Sequence, residues 1–130
     1  MATKGDGQVI DITQQVSSHM SLATIKDGVV TVFIPGATGG ITTLECEPGL
    51  VKDIQDAFER IAPKFINYDH HRTFNDGNGY SHIRAALLGP SLTVPFLDGK
   101  LLLGTYQQIV FIDFDNRSRD REIILQIVGE

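Results

Sequence analysis

Apolar and polar positions alternate along Gln8-Val-Ile-Asp-Ile-Thr13, and a period of two predicts a strand. Thr13 then caps a short helix from Gln14 to about Ile25, with Val16, Met20 and Ala23 on its apolar face. Asp27-Gly28 marks a turn, and the β-branched run from Val29 to Ile34 predicts a buried strand. Pro35-Gly-Ala-Thr-Gly-Gly40 interrupts the pattern before a further strand from Ile41 to Cys46. Glu47-Pro-Gly opens a helix in which Leu50, Val51, Ile54, Ala57, Phe58 and Ile61 form one stripe, ended by Pro63. Residues 64–80 lack apolar periodicity but hold aromatics and histidines, which argues for a functional loop. A short helix follows and stops at Gly89-Pro90.

From there the pattern is β. Ser91 to Phe96 reads as a strand, with Pro95 implying an edge or an irregular position. Asp98-Gly99 is a tight turn, and strands are expected over residues 100–103, 105–114 and 121–128. On the last of these Ile123, Leu125 and Ile127 share one face while Ile124 and Val128 share the other, so both faces call for some cover. The order predicts an α+β fold: a largely antiparallel β-sandwich core with two or three flanking helices, one domain over residues 1–130, and a loose segment at 1–7.

Composition narrows the function. A chain of 130 residues, 42% hydrophobic, can bury one real core. The net charge of -5 and the scattered Lys and Arg exclude a nucleic-acid footprint. The run Arg117, Arg119 and Arg121 alternates with Ser118 and Asp120 and reads as a solvated turn. The single Cys46 fits a reducing, cytoplasmic setting and a buried, inert thiol. No stretch approaches the ~18–20 apolar residues of a membrane span.

The chemistry gathers at Asn75-Asp-Gly-Asn-Gly-Tyr-Ser-His-Ile-Arg84. Ser81 is read as an N-cap, with His82 and Arg84 in the first turn of the helix behind it. A helix N-terminus presents free N–H groups to an anion, and Arg84 adds a counter-charge for phosphate. His70 and His71 lie just upstream, so three of the four histidines fall within 13 residues. His19 stands apart and reads as a surface residue. Imidazole is a common metal ligand, but this spacing is not diagnostic, and adjacent histidines point apart, so one of the pair is expected to meet His82. Acid/base, phosphate-donor and plain loop roles stay open for them. Asp69, Asp76 and Asn78 lack calcium-loop spacing. Glu45, at a strand end, is either a base, a ligand, a partner for Arg84 or an exposed terminus. Thr38 and Asn78, in the two glycine-rich loops, join Ser81 and Arg84 as candidate substrate contacts. No nucleophile elbow, Walker loop or dinucleotide fingerprint is present.

Asp76-Gly-Asn-Gly-Tyr-Ser-His-Ile-Arg-Ala-Ala-Leu-Leu-Gly-Pro-Ser-Leu-Thr-Val-Pro95 resembles the YjbQ family, also called secondary thiamine-phosphate synthase, in its archaeal or thermophile form. So do residues 98–110, Asp113-Phe-Asp-Asn-Arg117, Pro35 to Glu45, Glu47 to Leu50 and Tyr68-Asp-His70. The resemblance implies a β-sandwich assembled as a homotrimer, with sites between subunits and a weak activity joining a pyrimidine diphosphate to a thiazole phosphate. It places family histidines on His70 and His82 and the family's strand-end glutamate on Glu45. These three would be catalytic, with His70 and His82 also holding a divalent metal, zinc or magnesium. Gly36-Ala37 and Tyr80 stand where many members carry histidine, which leaves His71 as a substitute ligand. The alternative is a non-catalytic trimeric protein that binds a small anion or metal ion.

Overall fold

The strand β7 (Gln108–Asp113) runs through the middle of the molecule and is buried on both faces. In this computed structural model, which describes residues 1–130, β7 pairs antiparallel with β2 (Gln8–Asp11) on one side and β4 (Gly39–Leu44) on the other. Its alternation explains its position. Ile109 and Phe111 face a second, four-stranded sheet, while Val110 and Ile112 face the helices. The second sheet orders β6 (Lys100–Leu101), β5 (Ser91–Leu97), β3 (Gly28–Phe33) and β9 (Ile124–Gly129) side by side, all antiparallel. Val30, Val32, Val94 and Phe96 from that sheet meet Ile41, Ile109 and Phe111 to form the sandwich core.

Helix α1 (Thr13–Ser21) sends Val16 and Met20 into the same core. Helices α2 (Pro48–Ile61) and α4 (Gly79–Leu88) cover the outer face of the three-stranded sheet, where Phe58, Ala85, Val110, Ile112 and Phe114 pack together. Phe58 meets Phe114 edge-on at 4.8 Å between ring centroids. Glu47 caps α2, its carboxylate accepting from the Gly49 and Leu50 N–H groups, with Pro48 at the first helical position. Gly39 and Gly40 start β4 because nothing larger fits. A Cβ on Gly40 would lie 2.6 Å from Leu88 Cδ2, and one on Gly39 would lie 2.6 Å from Phe111 Cε1. Gly39 and Gly40 of the 35–40 loop therefore serve packing.

The α+β sandwich matches the pattern of the sequence. Asp98 and Gly99 both take positive φ, as a tight hairpin turn requires. Pro95 turns its missing N–H away from β3, and its carbonyl accepts from the Leu102 N–H on the side of the short β6. The face of β9 bearing Ile124 and Val128 has no helix over it and is exposed. Several expectations need correction. Residues 1–7 are tied down: β1 (Ala2–Thr3) pairs with β8 (Arg119–Asp120), and Thr3, Gly5 and Gly7 are buried. Ile12 precedes α1 where Thr13 was expected to cap, because the Thr13 hydroxyl accepts from the Ile109 N–H instead. The helix also stops at Ser21, short of Ile25. The loop after α2 contains a further short helix, α3 (His70–Phe74). Cys46 is half-buried, and burial followed by the charge of Asp11 pushes its thiol pKa up.

The arginine run is the largest departure from a solvated turn. Asp113 and Asp115 are fully buried, and Arg121 grips Asp113 with two bonds of 2.8 Å. Arg119 Nε donates to Asp115 Oδ2 at 3.0 Å. Thr3 donates to Asp113 at 2.6 Å and Thr38 donates to Asp115 at 2.9 Å, so the hub joins the N-terminus, the 36–39 loop and the end of β7. Burial alone would raise the Asp113 carboxyl. The Arg121 and Thr3 hydrogen bonds and the Asp115 N–H outweigh it and hold the pKa below 3.8. Because the folded value lies below the unfolded one, this stabilisation is full above the unfolded value and fades as pH falls through the folded one. Arg121→Met should cost about 3–5 kcal/mol in urea unfolding at pH 7, since it strands a buried carboxylate. The gap between variant and wild type should shrink in acid; an equal gap at both ends of the pH range would contradict this account.

Candidate functional site

The residues between α2 and α4 fold back on themselves through local hydrogen bonds. Tyr68 donates its hydroxyl to Pro63 O at 2.6 Å. Asn75 adopts the left-handed conformation and ends α3. The Asp76 carboxylate then accepts from the Asn78 N–H at 3.1 Å, an Asx turn that fixes its direction. Gly79 presses against Tyr68, where a Cβ would lie 2.7 Å from the tyrosine Cβ.

These constraints divide the adjacent histidines. His71 turns inward, and its Nε2 accepts the Gly79 N–H at 3.2 Å while its ring meets Tyr68 edge-on. His70 turns the other way. Its ring stacks on Phe74 at 5.0 Å and lies 4.5 Å from the ring of His82. One imidazole of the pair thus meets His82, and His71 is committed elsewhere.

Asp76 completes the group. His70, Asp76 and His82 each offer a ligand atom, all within 4.8 Å of one another. His70 Nδ1 lies 3.3 Å from Asp76 Oδ1 but is misaligned for a hydrogen bond, and it stays buried without another partner. Two imidazoles and a carboxylate suit a divalent ion of the zinc type. Ligand atoms about 2.1 Å from a tetrahedral ion lie roughly 3.4 Å apart, so the three side chains would have to draw together on binding one. Burial and then the neighbouring His70 push the His82 pKa below 6.5, against the opposing pull of Asp76 and Asp115. His82 is therefore neutral at pH 7, the state that ligates. Burial would raise the Asp76 carboxyl, but the Asn78 N–H and the imidazoles of His70 and His82 hold it lower, as the carboxylate.

The remaining candidates sit elsewhere or are already engaged. Ser81 is not the N-cap: Asn78 precedes the helix, and the Ser81 hydroxyl donates back to its carbonyl at 2.7 Å and its side-chain oxygen at 2.5 Å. The Gly79 and Ser81 N–H groups are taken by His71 and by the Asn78 carbonyl, so much of the expected anion pocket is filled from within. Arg84 does not face the histidines. It donates to Glu59 at 2.6 Å and to the Ala62 carbonyl at 3.0 Å, beyond the C-terminus of α2. Thr38 is buried in the hub. Glu45 is exposed just past the end of β4 that lies opposite Gly39, so the single chain does not bring it to the triad. Beside His82 lies an open cleft of about 220 Å³ walled by Gly36, Ala37, Gly39, Ala85, Ala86 and Pro90. A larger hollow of about 560 Å³ between α1 and residues 121–127 is mainly apolar and contains none of the triad.

Asp76 was missed as a partner of the histidines, although its Asp-Gly-Asn turn is the local signal that fixes the carboxylate. Asn116 was missed too, and nothing local reveals it. It donates to the carbonyl of Asp76 at 3.0 Å and to Asn78 Oδ1 at 3.3 Å, pinning the loop to the hub.

The family pattern described as UPF0047 protein YjbQ-like matches residues 1–130. The chain belongs to the YjbQ family. Archaeal relatives include a UPF0047 protein of Archaeoglobus fulgidus, 40% identical over 92% of this chain and 90% of its own length. One from Methanocaldococcus jannaschii is 37% identical over 95% of this chain and 86% of its own length. Among solved structures, a protein of unknown function from Sulfolobus solfataricus superposes with a TM-score of 0.92 at 29% identity, over 100% of this chain and 94% of the other. A YjbQ-family protein from Clostridium acetobutylicum gives 0.88 at 36% identity, covering 98% of both chains. No helix here is long and apolar enough to cross a membrane.

In an NMR titration of the metal-free protein, His82 should titrate below 6.5. Asp76→Asn should lower it further, because the lost carboxylate favours the imidazolium. An upward move in that variant would contradict the electrostatic assignment.

Proposed function

We propose that this YjbQ-family chain is a metal-dependent transferase of the thiamine-phosphate-synthase kind, acting on phosphorylated heterocycles. The observation that carries the reading is the convergence of His70, Asp76 and His82 within 4.8 Å, with His70 Nδ1 buried and unpartnered. These three residues would hold a divalent cation, zinc being favoured by the two imidazoles. When bound, the ion supplies the positive charge that a departing pyrophosphate demands. The protein offers little else for that task nearby, since Arg84, Arg119 and Arg121 are already paired with Glu59, Asp115 and Asp113. The small walls of the cleft at Gly36, Ala37, Ala85 and Ala86 leave room for a flat ring beside His82.

The cleft is smaller than the roughly 300–1,000 Å³ of most ligand pockets and is open to one side. That favours closure by further copies of the chain in a homotrimer, which would also give Glu45 a route to a site it does not reach within its own chain. The exposed sheet face carrying Val29, Phe33, Ile124 and Val128 favours the same assembly. A second reading, a non-catalytic trimer that binds a metal ion or small anion, draws support from Glu45, since no free general base other than the triad itself stands at the centre.

Purified without a histidine tag, the protein should take up about one zinc per chain, and His82→Ala should lose it. With pyrimidine diphosphate and thiazole phosphate, wild type should form product and His82→Ala should fall by at least ~100-fold, as expected on loss of a metal ligand. Zinc uptake without turnover would favour the binding reading, and neither uptake nor turnover would overturn the transferase reading and the metal-binding form of the second. Light scattering at micromolar concentration should give three times the chain mass; a monomer mass would refute the assembly.

A further inference from the structure

Phe74 is an apolar ring that the core does not use. It is 71% exposed, and the ring beside it is that of His70, whose plane it meets at 19° with the centroids 5.0 Å apart. The placement follows from the shortness of α3. His70 and Phe74 are its first and last residues, four apart, and so share one face of a single turn. Inside that turn Thr73 donates its hydroxyl to the His70 carbonyl at 3.0 Å. Asn75 then ends the turn in the left-handed conformation and hands the chain directly to Asp76. A metal-ligating histidine is usually oriented through its second ring nitrogen, by a bond to a carboxylate or a carbonyl. His70 has no hydrogen-bond tether. Its Nδ1 is buried, unpartnered and 3.3 Å from Asp76 Oδ1, while its ring lies against Phe74 and, at 4.5 Å, His82. The torsion that turns an imidazole is broad, so something must fix its plane. A phenyl ring does so without occupying either nitrogen. Phe65, 87% exposed in the same loop, has Lys64 over its ring and forms no aromatic pair with a histidine.

We propose that Phe74 is a positioning residue: by stacking on His70 it fixes the plane of that imidazole and keeps Nδ1 turned towards Asp76 for the ion held with His82. The inference rests on the metal reading above. It gives α3 a purpose that core packing does not, since none of its residues is buried. So short a helix is not held by propensity alone. The stack helps to hold the turn and, through it, the spacing between His70 and Asp76. The face of an aromatic ring is electron-rich, so it also favours an imidazole that draws charge from a bound cation.

The test is zinc titration by calorimetry of the untagged protein, comparing wild type with Phe74→Leu, Phe74→Tyr and Phe65→Leu. Phe74→Leu keeps an apolar side chain but removes the ring, and should weaken zinc binding about 10-fold. Phe74→Tyr keeps a ring and Phe65→Leu changes a surface away from the triad, so both should stay within about twofold of wild type. Equal affinity in Phe74→Leu and wild type, an equal loss in Phe65→Leu, or no recovery in Phe74→Tyr would overturn the positioning role while leaving the metal reading intact. Absence of zinc binding in wild type would overturn the metal reading, and this role with it. Proton spectra of the metal-free protein supply a second measurement. The His70 ring protons should be shifted upfield by Phe74 in wild type and should return in Phe74→Leu, while the Gly79 amide, held by His71, keeps its protection from exchange. Unshifted ring protons in wild type would remove the stack. A Gly79 amide that loses protection in Phe74→Leu would show that the variant merely loosens the loop, and either result would overturn the role.

Discussion

The buried pairing of Asp113 with Arg121 is the interaction on which the rest of this structure depends. A charge inside a protein persists only with a partner and with its lone pairs filled. Meeting that demand draws distant parts of the chain together. Thr3 arrives from the N-terminus, Thr38 from the loop before β4, and Arg119 and Arg121 from the chain beyond β7. The apolar sandwich supplies the burial, but its core contacts are non-directional. The hub supplies direction, since each hydrogen bond fixes where a loop must lie.

The functional loop inherits its position from this hub. Asn116 follows Asp115 directly and holds the Asp76–Asn78 turn from outside. Tyr68, Gly79 and His71 hold it from inside. Between the two, the carboxylate of Asp76 and the imidazoles of His70 and His82 are left facing one another with one buried nitrogen unused. In a chain that pairs most of its buried polar groups, the unpartnered His70 Nδ1 sets this region apart from scaffold.

Much of this was legible in the sequence because it is periodic. The strand core, the α2 stripe and the Asp98-Gly99 turn follow from alternation and local chemistry. The tie of residues 1–7 was not legible, because a polar glycine-containing segment looks the same whether free or paired to a strand 115 or more residues away. The roles of Arg119 and Arg121 were hidden for the same reason: alternating charges resemble a solvated turn until the buried aspartates are known. Within the site, the histidine cluster was visible as composition, but the inclusion of Asp76 and the exclusion of Arg84 and Ser81 were not. Those depend on where α4 begins. The cap lies three residues earlier than expected, at Asn78 in place of Ser81, so Arg84 falls in the second turn of α4 and not the first. Arg84 therefore points to the end of α2 instead of to the loop.

The two adjacent histidines show why clustering alone does not define a site. On a helix, neighbouring residues point about 100° apart, so one of them is available for any given centre. Here the choice is set by backbone need. The first N–H of α4 would be unsatisfied without an acceptor, and His71 Nε2 provides one. Accepting that bond requires a neutral ring at that nitrogen, so His71 acts as a cap. His70 is released to the opposite side, where its buried Nδ1 faces Asp76 but makes no hydrogen bond. The same physical rule, that a buried polar atom must find a partner, accounts for the occupied nitrogen of His71 and for the chemical interest of the empty one on His70.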